Sequence, residues 1–304
     1  MPKEERRTVT ESDFSRSPRQ LAVLGSPIGH SLSPRLHTTA YNMLGVPFTY
    51  GRVELGSGEL GPWLDSLDST WRGLSLTMPL KREVIPLLST SSPLVDRLGV
   101  ANTVVFEYLD GHRVIHGHNT DVDGIVRAVT SRHAARPETA TILGGGATAS
   151  SALYAAHLLG ATAFTVYLRD VSKADELVTL ARALDAEIDV RPLADISRLP
   201  VQDFVVSTLP GGAADEITLV PASPESVLFD VAYDPWPSRI AQAWSDAGGL
   251  VFSGLDMLVE QAISQVRLFA GVAQDVPLPG ESDIRAAMRA AVGLAPSTAT
   301  LGEM

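Results

Sequence analysis

Three consecutive glycines at positions 144, 145 and 146 constrain the fold of this chain more than any other feature. They follow a short apolar segment, residues 140–143, and precede a helical pattern over residues 147–159. A glycine-rich turn between a strand and a helix lets the backbone approach a pyrophosphate, which then lies at the helix N-terminus. Such turns also occur for packing reasons alone, but the strand–turn–helix context predicts a dinucleotide site. Its residues are Gly144, Gly145, Gly146, Ala147 and Thr148.

The segments around this turn alternate regularly between apolar strands and amphipathic helices. The pattern predicts strands at residues 140–143, 164–168, 204–206 and 227–231, and helices at residues 121–134, 147–159, 172–186, 239–247 and 255–270. Strands separated by helices of this length form βαβ units in a parallel sheet. We therefore expect an α/β fold in this half of the chain.

The N-terminal half contains further short strands and one hairpin. Strands are predicted at residues 21–25, 48–50 and 71–78, and residues 102–108 and 113–116 flank Asp110-Gly111, a strong hairpin turn. Ser33 is predicted to be the N-cap of a helix whose first residue is Pro34. The chain has 304 residues, which is long for one compact domain, so we expect two domains.

Composition excludes several classes of function. The net charge of −11 makes nucleic acid a poor partner, and the absence of cysteine excludes disulfides and cysteine nucleophiles. The histidines show no metal-ligand spacing, so no metal is expected. Residues 139–168 carry no Asp, Glu, Lys or Arg, but glycines interrupt them, and no membrane association is predicted. Residues 1–20 are polar and are expected to form a loosely ordered tail, and a cytoplasmic location is expected.

The end of the predicted second βαβ strand bears on nucleotide choice. In a dinucleotide fold this position lies beside the adenosine ribose. Arg169 and Lys173 favour NADP, because an arginine can hold a 2′-phosphate bidentately. Asp170 would instead accept a hydrogen bond from the 2′-hydroxyl of NAD, or it would cap the next helix.

Four polar residues are candidates for binding and chemistry. Ser31 and Ser33 lie two positions apart, so in an extended segment both hydroxyls face one side and can donate to a carboxylate. Taken alone, Ser-x-Ser-Pro is more often a turn and helix cap. Lys81 is a candidate proton carrier that Asp121 would orient, although a lysine after Pro-Leu is often exposed and Asp121 could simply cap a helix.

These elements, in this order, resemble the shikimate dehydrogenase family. The resemblance covers residues 21 to about 271 and rests on seven motifs, at residues 25–34, 76–81, 99–103, 119–121, 144–148, 230–233 and 253–261. The chain departs from common family patterns at three places. Ser75 replaces an asparagine and Leu80 a phenylalanine in the same motif, Leu168-Arg169-Asp170 replaces Asn-Arg-Thr, and Ser207-Thr208-Leu209-Pro210 replaces the Asn-Ala-Thr turn.

The resemblance implies two domains. Residues 21–120 and 259–304 would form the substrate-binding domain, and residues 121–258 would form a Rossmann domain that binds NADP. Ser31 and Ser33 would bind the substrate carboxylate, and Lys81 would carry the proton, paired with Asp121. The groups around the substrate hydroxyls would be Thr77, Asn102, Asp121, Tyr233 and Gln261. The further nucleotide contacts would be Thr208, Val231, Gly254 and Met257.

The resemblance also implies an activity, namely NADP-dependent reversible reduction of 3-dehydroshikimate to shikimate in the shikimate pathway, which supplies chorismate and the aromatic amino acids. The alternatives are an NAD-preferring quinate/shikimate dehydrogenase or aminoshikimate-type relative and, from another class, a metabolite sensor that binds a dinucleotide without turnover. A methylenetetrahydrofolate-dehydrogenase-like enzyme is a more distant alternative. The expected partner is a small molecule, and the protein is expected to be a monomer or a homodimer.

Overall fold

The computed structural model describes residues 17–134, 136–198 and 203–295. The chain divides into two compact units. The first contains the described residues up to Ser92, Ala101–His118 and the described part of Ala262–Pro296. The second contains Pro93–Val100 and Asn119–Gln261. Relative to the expected domains, the segment Pro93–Val100 groups with the second unit, and the last boundary falls three residues later, after Gln261.

The first unit contains one mixed sheet and helices at both ends of its sequence. Its strands are β1 Arg19–Gly25, β2 Phe48–Glu54, β3 Trp71–Leu76, β4 Thr90–Ser91, β5 Thr103–Leu109 and β6 His112–His118. Its helices include α1 Ser33–Leu44, α2 Leu60–Asp65, α3 Leu80–Glu83 and, near the C-terminus, Glu281–Ala291. Most of the predicted tail lies outside the described residues, and β1 begins at Arg19, within the segment predicted as tail.

Strand order in this sheet is β2-β1-β3-β5-β6-β4. β1 pairs in parallel with both β2 and β3, whereas β5 runs antiparallel to β3 and to β6. The predicted hairpin at Asp110-Gly111 is confirmed: both residues have positive φ, of 50° and 81°, as a type I′ turn requires. The carboxyl ends of β1 and β3 therefore lie at the same edge as the start of β5.

The second unit contains a parallel sheet. Its strands are β7 Thr139–Leu143, β8 Ala163–Leu168, β9 Glu187–Pro192, β10 Phe204–Ser207, β11 Val227–Asp230 and β12 Leu250–Ser253. Its helices are α4 Pro93–Leu98, α5 Asp121–Thr130, α6 Ala147–Leu159, α7 Asp175–Ala183, α8 Arg239–Asp246 and the first part of α9 Gly254–Phe269. The first unit's C-terminal helix, Glu281–Ala291, is accordingly α10.

Strand order in this sheet is β9-β8-β7-β10-β11-β12, and the pairs are parallel throughout. Counted from β7, this is the 3-2-1-4-5-6 order of a doubly wound dinucleotide-binding fold. The order reverses between β7 and β10, and ligands of such sheets bind outside the carboxyl ends of the strands at that point. The α/β fold class with two units agrees with the prediction.

Some elements differ from the sequence prediction. The strands β9 and β12 and the helix α10 were not predicted, because their alternating or short apolar patterns are weak signals. The helix predicted at residues 172–186 is a short 3₁₀ turn, Val171–Lys173, followed by α7. Helix α5 ends at Thr130 and not at residue 134.

Candidate functional site

Five predicted substrate residues lie at one edge of the first sheet. Ser31 and Ser33 follow β1, Thr77 and Lys81 follow β3, and Asn102 comes directly before β5. Since β1 and β3 are parallel neighbours and β5 is antiparallel to β3, these connections meet at the same edge. A sheet edge that collects hydroxyl, amide and ammonium groups is suited to a small polyhydroxy acid.

Gly25 lets the two loops after β1 and β3 pack together. A Cβ at this position would lie 2.3 Å from Thr77 Cγ2 and 2.7 Å from the carbonyl oxygen of Met78. The Ser26 amide donates to that same carbonyl at 2.9 Å. Glycine is required here for close approach of the backbone, which brings the serine loop against Thr77.

The prediction that Ser33 caps helix α1 is wrong. The helix begins at Ser33, with Leu32 at the N-cap position and no side-chain cap. Ser31 Oγ accepts a hydrogen bond from the Ser33 amide at 3.4 Å, and Arg52 Nε donates to the Ser31 carbonyl at 2.9 Å. Both serine side chains are buried. Because the Ser33 hydroxyl does not cap the helix, it can bond to other partners.

Lys81 is buried, with 9% of the residue exposed, so it is not an ordinary surface lysine. It lies on the one-turn helix α3, which Pro79 precedes at the N-cap position. The carbonyl oxygen of Lys81 accepts the Ala101 amide at 2.9 Å, and this bond ties α3 to the segment that leads to Asn102. The Asn102 carbonyl in turn accepts the Leu76 amide at 2.7 Å.

Asp121 and Gln261 belong to the second unit, where α5 and α9 pack closely. Asp121 is the first residue of α5, and Thr120 occupies the N-cap position, so the capping alternative for Asp121 is wrong. Thr120 Oγ1 donates to Gln261 Oε1 at 3.3 Å. A Cβ at Gly124 would lie 3.0 Å from Gln261 Cβ and from the Met257 carbonyl, so the glycine allows this approach. The pairing of Asp121 with Lys81 of the first unit remains a prediction.

The glycine turn lies at the switch point of the second sheet. Gly144 follows β7 and has φ of +106°, and a Cβ there would be 2.5 Å from Thr208 Oγ1. The Thr208 amide and hydroxyl both donate to the Leu143 carbonyl at 2.8 Å. Predicted nucleotide residues after β7 and after β10 are therefore in direct contact.

The next two glycines lead into helix α6. A Cβ at Gly145 would meet Leu168 Cδ2 at 2.7 Å, whereas one at Gly146 would meet nothing within 4 Å. Gly146 is the N-cap of α6 and makes no side-chain cap, and Ala147 and Thr148 form the first turn. The first amides of a helix carry positive partial charge, so this end of α6 fits a pyrophosphate.

Arg169, Asp170 and Lys173 follow β8 and are exposed. Asp170 Oδ1 accepts hydrogen bonds from the Ser172 hydroxyl at 2.6 Å and from the Ser172 amide at 3.1 Å. These bonds lower the pKa of Asp170. Asp170 therefore caps the short 3₁₀ turn, which is the alternative that the sequence left open.

Gly254 brings the loop after β11 against the start of α9. A Cβ on Gly254 would lie 2.0 Å from the Val231 carbonyl oxygen. The Gly254 amide donates to the Ala232 carbonyl oxygen at 3.2 Å. Tyr233 is half-buried in the same loop. Met257 is buried, and its side chain joins the core between the sheet and the helices.

Sequence reasoning missed Asp230, the last residue of β11. Its carboxylate accepts the Ser238 hydroxyl at 2.5 Å and the Ala232 amide at 3.2 Å. Burial raises the pKa of Asp230, and these hydrogen bonds oppose the increase. The aspartate thus fixes both ends of the loop that carries Tyr233. The sequence identifies the motif at residues 230–233, but only the fold shows that the Ser238 hydroxyl hydrogen-bonds to Asp230.

A second missed group lies behind Ser33 in the first unit. It consists of Tyr50 on β2, Ser75 on β3 and Gln265 on α9, and all three are buried. Tyr50 is hydrogen-bonded to Ser75 and to Ser33. These residues are far apart in sequence, and no local pattern connects them.

Comparison with known proteins gives consistent results. Residues 23–104 match the shikimate dehydrogenase substrate binding domain. The chain is 34% identical over 90% of its length to the pentafunctional AROM polypeptide of Malassezia globosa, of which it spans only 18%. It is 36% identical to a shikimate 5-dehydrogenase from Mycobacterium fortuitum, with a TM-score of 0.73 and coverage of 91% of this chain and 99% of that one.

Two other solved structures contain nucleotides. The shikimate 5-dehydrogenase of Thermus thermophilus, in complex with NADP(H) and shikimate, is 28% identical, with a TM-score of 0.72 and coverage of 90% of this chain and 99% of that one. The quinate dehydrogenase of Corynebacterium glutamicum, in complex with NAD, is 26% identical, with a TM-score of 0.73 and coverage of 90% and 100%. Within the described residues of the present chain, no helix is long and apolar enough to cross a membrane.

Proposed function

The chain belongs to the shikimate dehydrogenase family, and we propose that it reversibly reduces 3-dehydroshikimate to shikimate with NADPH. The observation that carries the proposal is the convergence of Ser31, Ser33, Thr77, Lys81 and Asn102 on one edge of the first sheet. Hydroxyl and amide donors there match a carboxylate and several hydroxyls, and a buried lysine matches a proton transfer.

The substrate would be held by groups of distinct chemistry. Ser31 and Ser33 would donate to the carboxylate, which avoids burying an ion pair. Thr77 and Asn102 would bind ring hydroxyls from the first unit, and Asp121, Tyr233 and Gln261 would do so from the second. The hydrogen bonds from the Ala232 amide and the Ser238 hydroxyl to Asp230 support a defined position for the Tyr233 loop.

Proton transfer is assigned to Lys81. When bound, the nicotinamide supplies the hydride, which adds to the ketone carbon. The Lys81 ammonium gives its proton to the carbonyl oxygen as that oxygen becomes a hydroxyl, and Asp121 orients the ammonium. In the reverse direction the neutral amine takes the proton back. The burial of Lys81 at the sheet edge that carries the substrate-binding candidates supports this role.

The second unit supports dinucleotide binding. The strand order, the left-handed Gly144 and the uncapped start of α6 fit a pyrophosphate and its nucleotide. NADP is proposed over NAD because Asp170 uses its Oδ1 on Ser172, while Arg169 and Lys173 lie exposed beside it. Those two cations would hold the 2′-phosphate.

The first experiment mixes the purified protein with shikimate and NADP⁺ and follows absorbance of the reduced nicotinamide, with NAD⁺ and quinate in parallel. Reduction only with shikimate and NADP⁺ is expected. Turnover mainly with quinate or NAD⁺ would assign the protein to the NAD-preferring relatives and make Asp170 the ribose ligand. Binding of both ligands without turnover would identify a sensor and refute the enzyme.

Lys81→Ala tests the proton carrier. The substitution is expected to lower kcat by about 10²–10⁴-fold, the usual contribution of a general acid, with little change in KM. Lys81→Arg is the matched control, because a guanidinium keeps the positive charge but does not release its proton near neutral pH. It should bind shikimate and remain nearly inactive. Turnover like that of the unsubstituted protein in either variant would refute the assignment.

A further inference from the structure

A buried set of hydrogen-bonding side chains lies directly behind Ser33 in the first unit. We call Ser33, Tyr50, Ser75 and Gln265 the hydroxyl relay. Tyr50 is hydrogen-bonded to Ser33, and its hydroxyl donates to Ser75 Oγ at 2.6 Å. Ser75 donates to Gln265 Oε1 at 2.9 Å. Each member is at most 8% exposed, so these groups depend on one another for partners and not on water.

The orientation of the Gln265 amide is fixed at the far end of the relay. Gln265 Nε2 lies 2.9 Å from Thr103 Oγ1 and 3.4 Å from the Asn102 carbonyl, which can only accept. The Thr103 hydroxyl donates to Asn102 Oδ1 at 2.9 Å, so it must accept from Gln265. The amide nitrogen therefore faces Thr103, and Oε1 faces Ser75.

His37 completes this arrangement. Its Nε2 lies 3.1 Å from Gln265 Oε1, an acceptor, so Nε2 carries the hydrogen. Its Nδ1 then accepts from the Tyr41 hydroxyl at 3.0 Å. Burial lowers the pKa of His37 to about 3, which keeps the imidazole neutral, and its two hydrogen bonds select this tautomer. Gln265 Oε1 thus keeps one donor whichever way the Ser75 hydroxyl points.

Hydroxyl hydrogens rotate, so the relay has two consistent directions. In one, Tyr50 donates to Ser75 and Ser75 to Gln265, and the Ser33 hydrogen turns toward Tyr50. In the other, Ser75 donates to Tyr50, Tyr50 donates to Ser33, and the Ser33 hydrogen turns outward. The second direction leaves no group unpaired, because His37 still supplies Gln265 Oε1.

We infer that Tyr50 is a positioning residue for substrate binding: it donates to Ser33, so that the Ser33 hydroxyl in turn donates to the substrate carboxylate. This inference rests on the proposed function. A hydroxyl that accepts one hydrogen bond is a stronger donor in the next, so the relay strengthens carboxylate binding without placing a charged residue there. In this inference the relay acts only through the substrate carboxylate, so binding should change and the rate of the chemical step should not.

Tyr50→Phe is the direct test, with shikimate varied at saturating NADP⁺. The phenyl ring keeps the stacking on His37, whose ring centroid is 4.0 Å away. Loss of the hydrogen bond between Tyr50 and Ser33 should raise KM for shikimate about 5–10-fold, with kcat and KM for NADP⁺ within about twofold. Tyr41→Phe is the matched control. It removes a different buried hydroxyl, which is bonded to His37 and lies outside the relay, so it should leave KM unchanged.

A mutant cycle with Ser33→Ala separates positioning from packing. In the Ser33→Ala background, Tyr50→Phe should have no further effect on KM, because its effect passes through that hydroxyl. Additive effects, an unchanged KM in Tyr50→Phe, or an equal increase in Tyr41→Phe would each overturn the inference. If Tyr50→Phe does not fold in a thermal melt, Ser75→Ala takes its place in the same cycle, with a smaller increase of about 2–3-fold expected and the same refuting outcomes.

The same assays distinguish failure of the proposed function from failure of the inference about Tyr50. Absence of shikimate turnover in the unsubstituted protein would refute that function, and the relay's role with it, before any variant is compared. Normal turnover together with an unaffected Tyr50→Phe variant would refute the relay alone.

Discussion

His37 makes folding of the first unit sensitive to mild acid. The imidazole is fully buried and contacts the Tyr41 hydroxyl, the Tyr50 ring, the Phe269 ring and Gln265. None of these groups is negatively charged at neutral pH, since burial also raises the pKa of both tyrosines. Desolvation by burial lowers the pKa of His37 from 6.5 to about 3, and the hydrogen bond to Gln265 opposes this only in part.

The sign and size of the effect follow from linkage. Because the folded-state pKa lies below the unfolded-state value, the unfolded chain takes up the proton first on acidification. The stabilisation is complete above pH about 6.5 and declines as the pH falls toward about 3. At about 1.4 kcal/mol per pH unit, His37 should remove about 2 kcal/mol from the free energy of unfolding between pH 7 and pH 5.

Urea unfolding at pH 7 and pH 5 measures this loss, with His37→Asn as the comparison. Other groups also respond to acid, among them Glu281: burial raises its pKa, but the hydrogen bonds from Arg267 and the Leu278 amide together with the nearby arginine charges outweigh burial and lower it. The quantity of interest is therefore the difference between the two proteins. The variant should be less stable at pH 7, and its stability should fall by about 2 kcal/mol less between the two pH values.

Equal pH dependence in both proteins would refute the reasoning. A direct check is to follow the imidazole of His37 by NMR, where its signals should not titrate between pH 7 and pH 5. Titration of the folded protein in that range would show that the imidazole accepts a proton inside the fold, contrary to the desolvation argument.

Two further predictions concern single side chains of the second unit. Gly254→Ala would put a methyl 2.0 Å from the Val231 carbonyl oxygen, so the backbone must move; we expect a loss of about 3 kcal/mol in urea unfolding. Gly51→Ala, which meets nothing within 4 Å, is its control, and equal stability of the two variants would contradict the steric argument. Arg169→Ala should raise KM for NADP⁺ about tenfold or more and leave KM for NAD⁺ nearly unchanged; equal increases for both nucleotides would contradict binding of the 2′-phosphate.

Local features that the sequence predicted share one physical basis. The Gly144 turn, the Asp110-Gly111 hairpin and the alternation of strands and helices depend on backbone sterics and on the period of apolar residues. These properties are set by neighbours along the chain. The fold class followed from them, and the residues of the sheet edge, such as Ser31 and Lys81, came from motifs of contiguous residues.

Predictions of helix starts and strands were wrong where local signals compete or are weak. Ser33-Pro34 has the composition of an N-cap and first turn, yet α1 begins one residue earlier than predicted, and Ser33 bonds to Tyr50 instead. Strand β9 is half-exposed and has no continuous apolar run, so its pattern is weak. In both places tertiary contacts decided the outcome over local propensity.

The sequence by itself determined the alternation of strands and helices around the glycine turn, the turns at Gly144 and Asp110-Gly111, and the chemical types of the site residues. The first two depend on local conformation, and the third depends only on residue identity. Only the tertiary structure decided that Lys81 is buried and that Tyr50 and Ser75 stand behind Ser33. Those outcomes depend on which distant strands become neighbours. The pairing of β1 with both β2 and β3 brings Tyr50 and Ser75 together, and α9 adds Gln265 from 190 residues beyond Ser75.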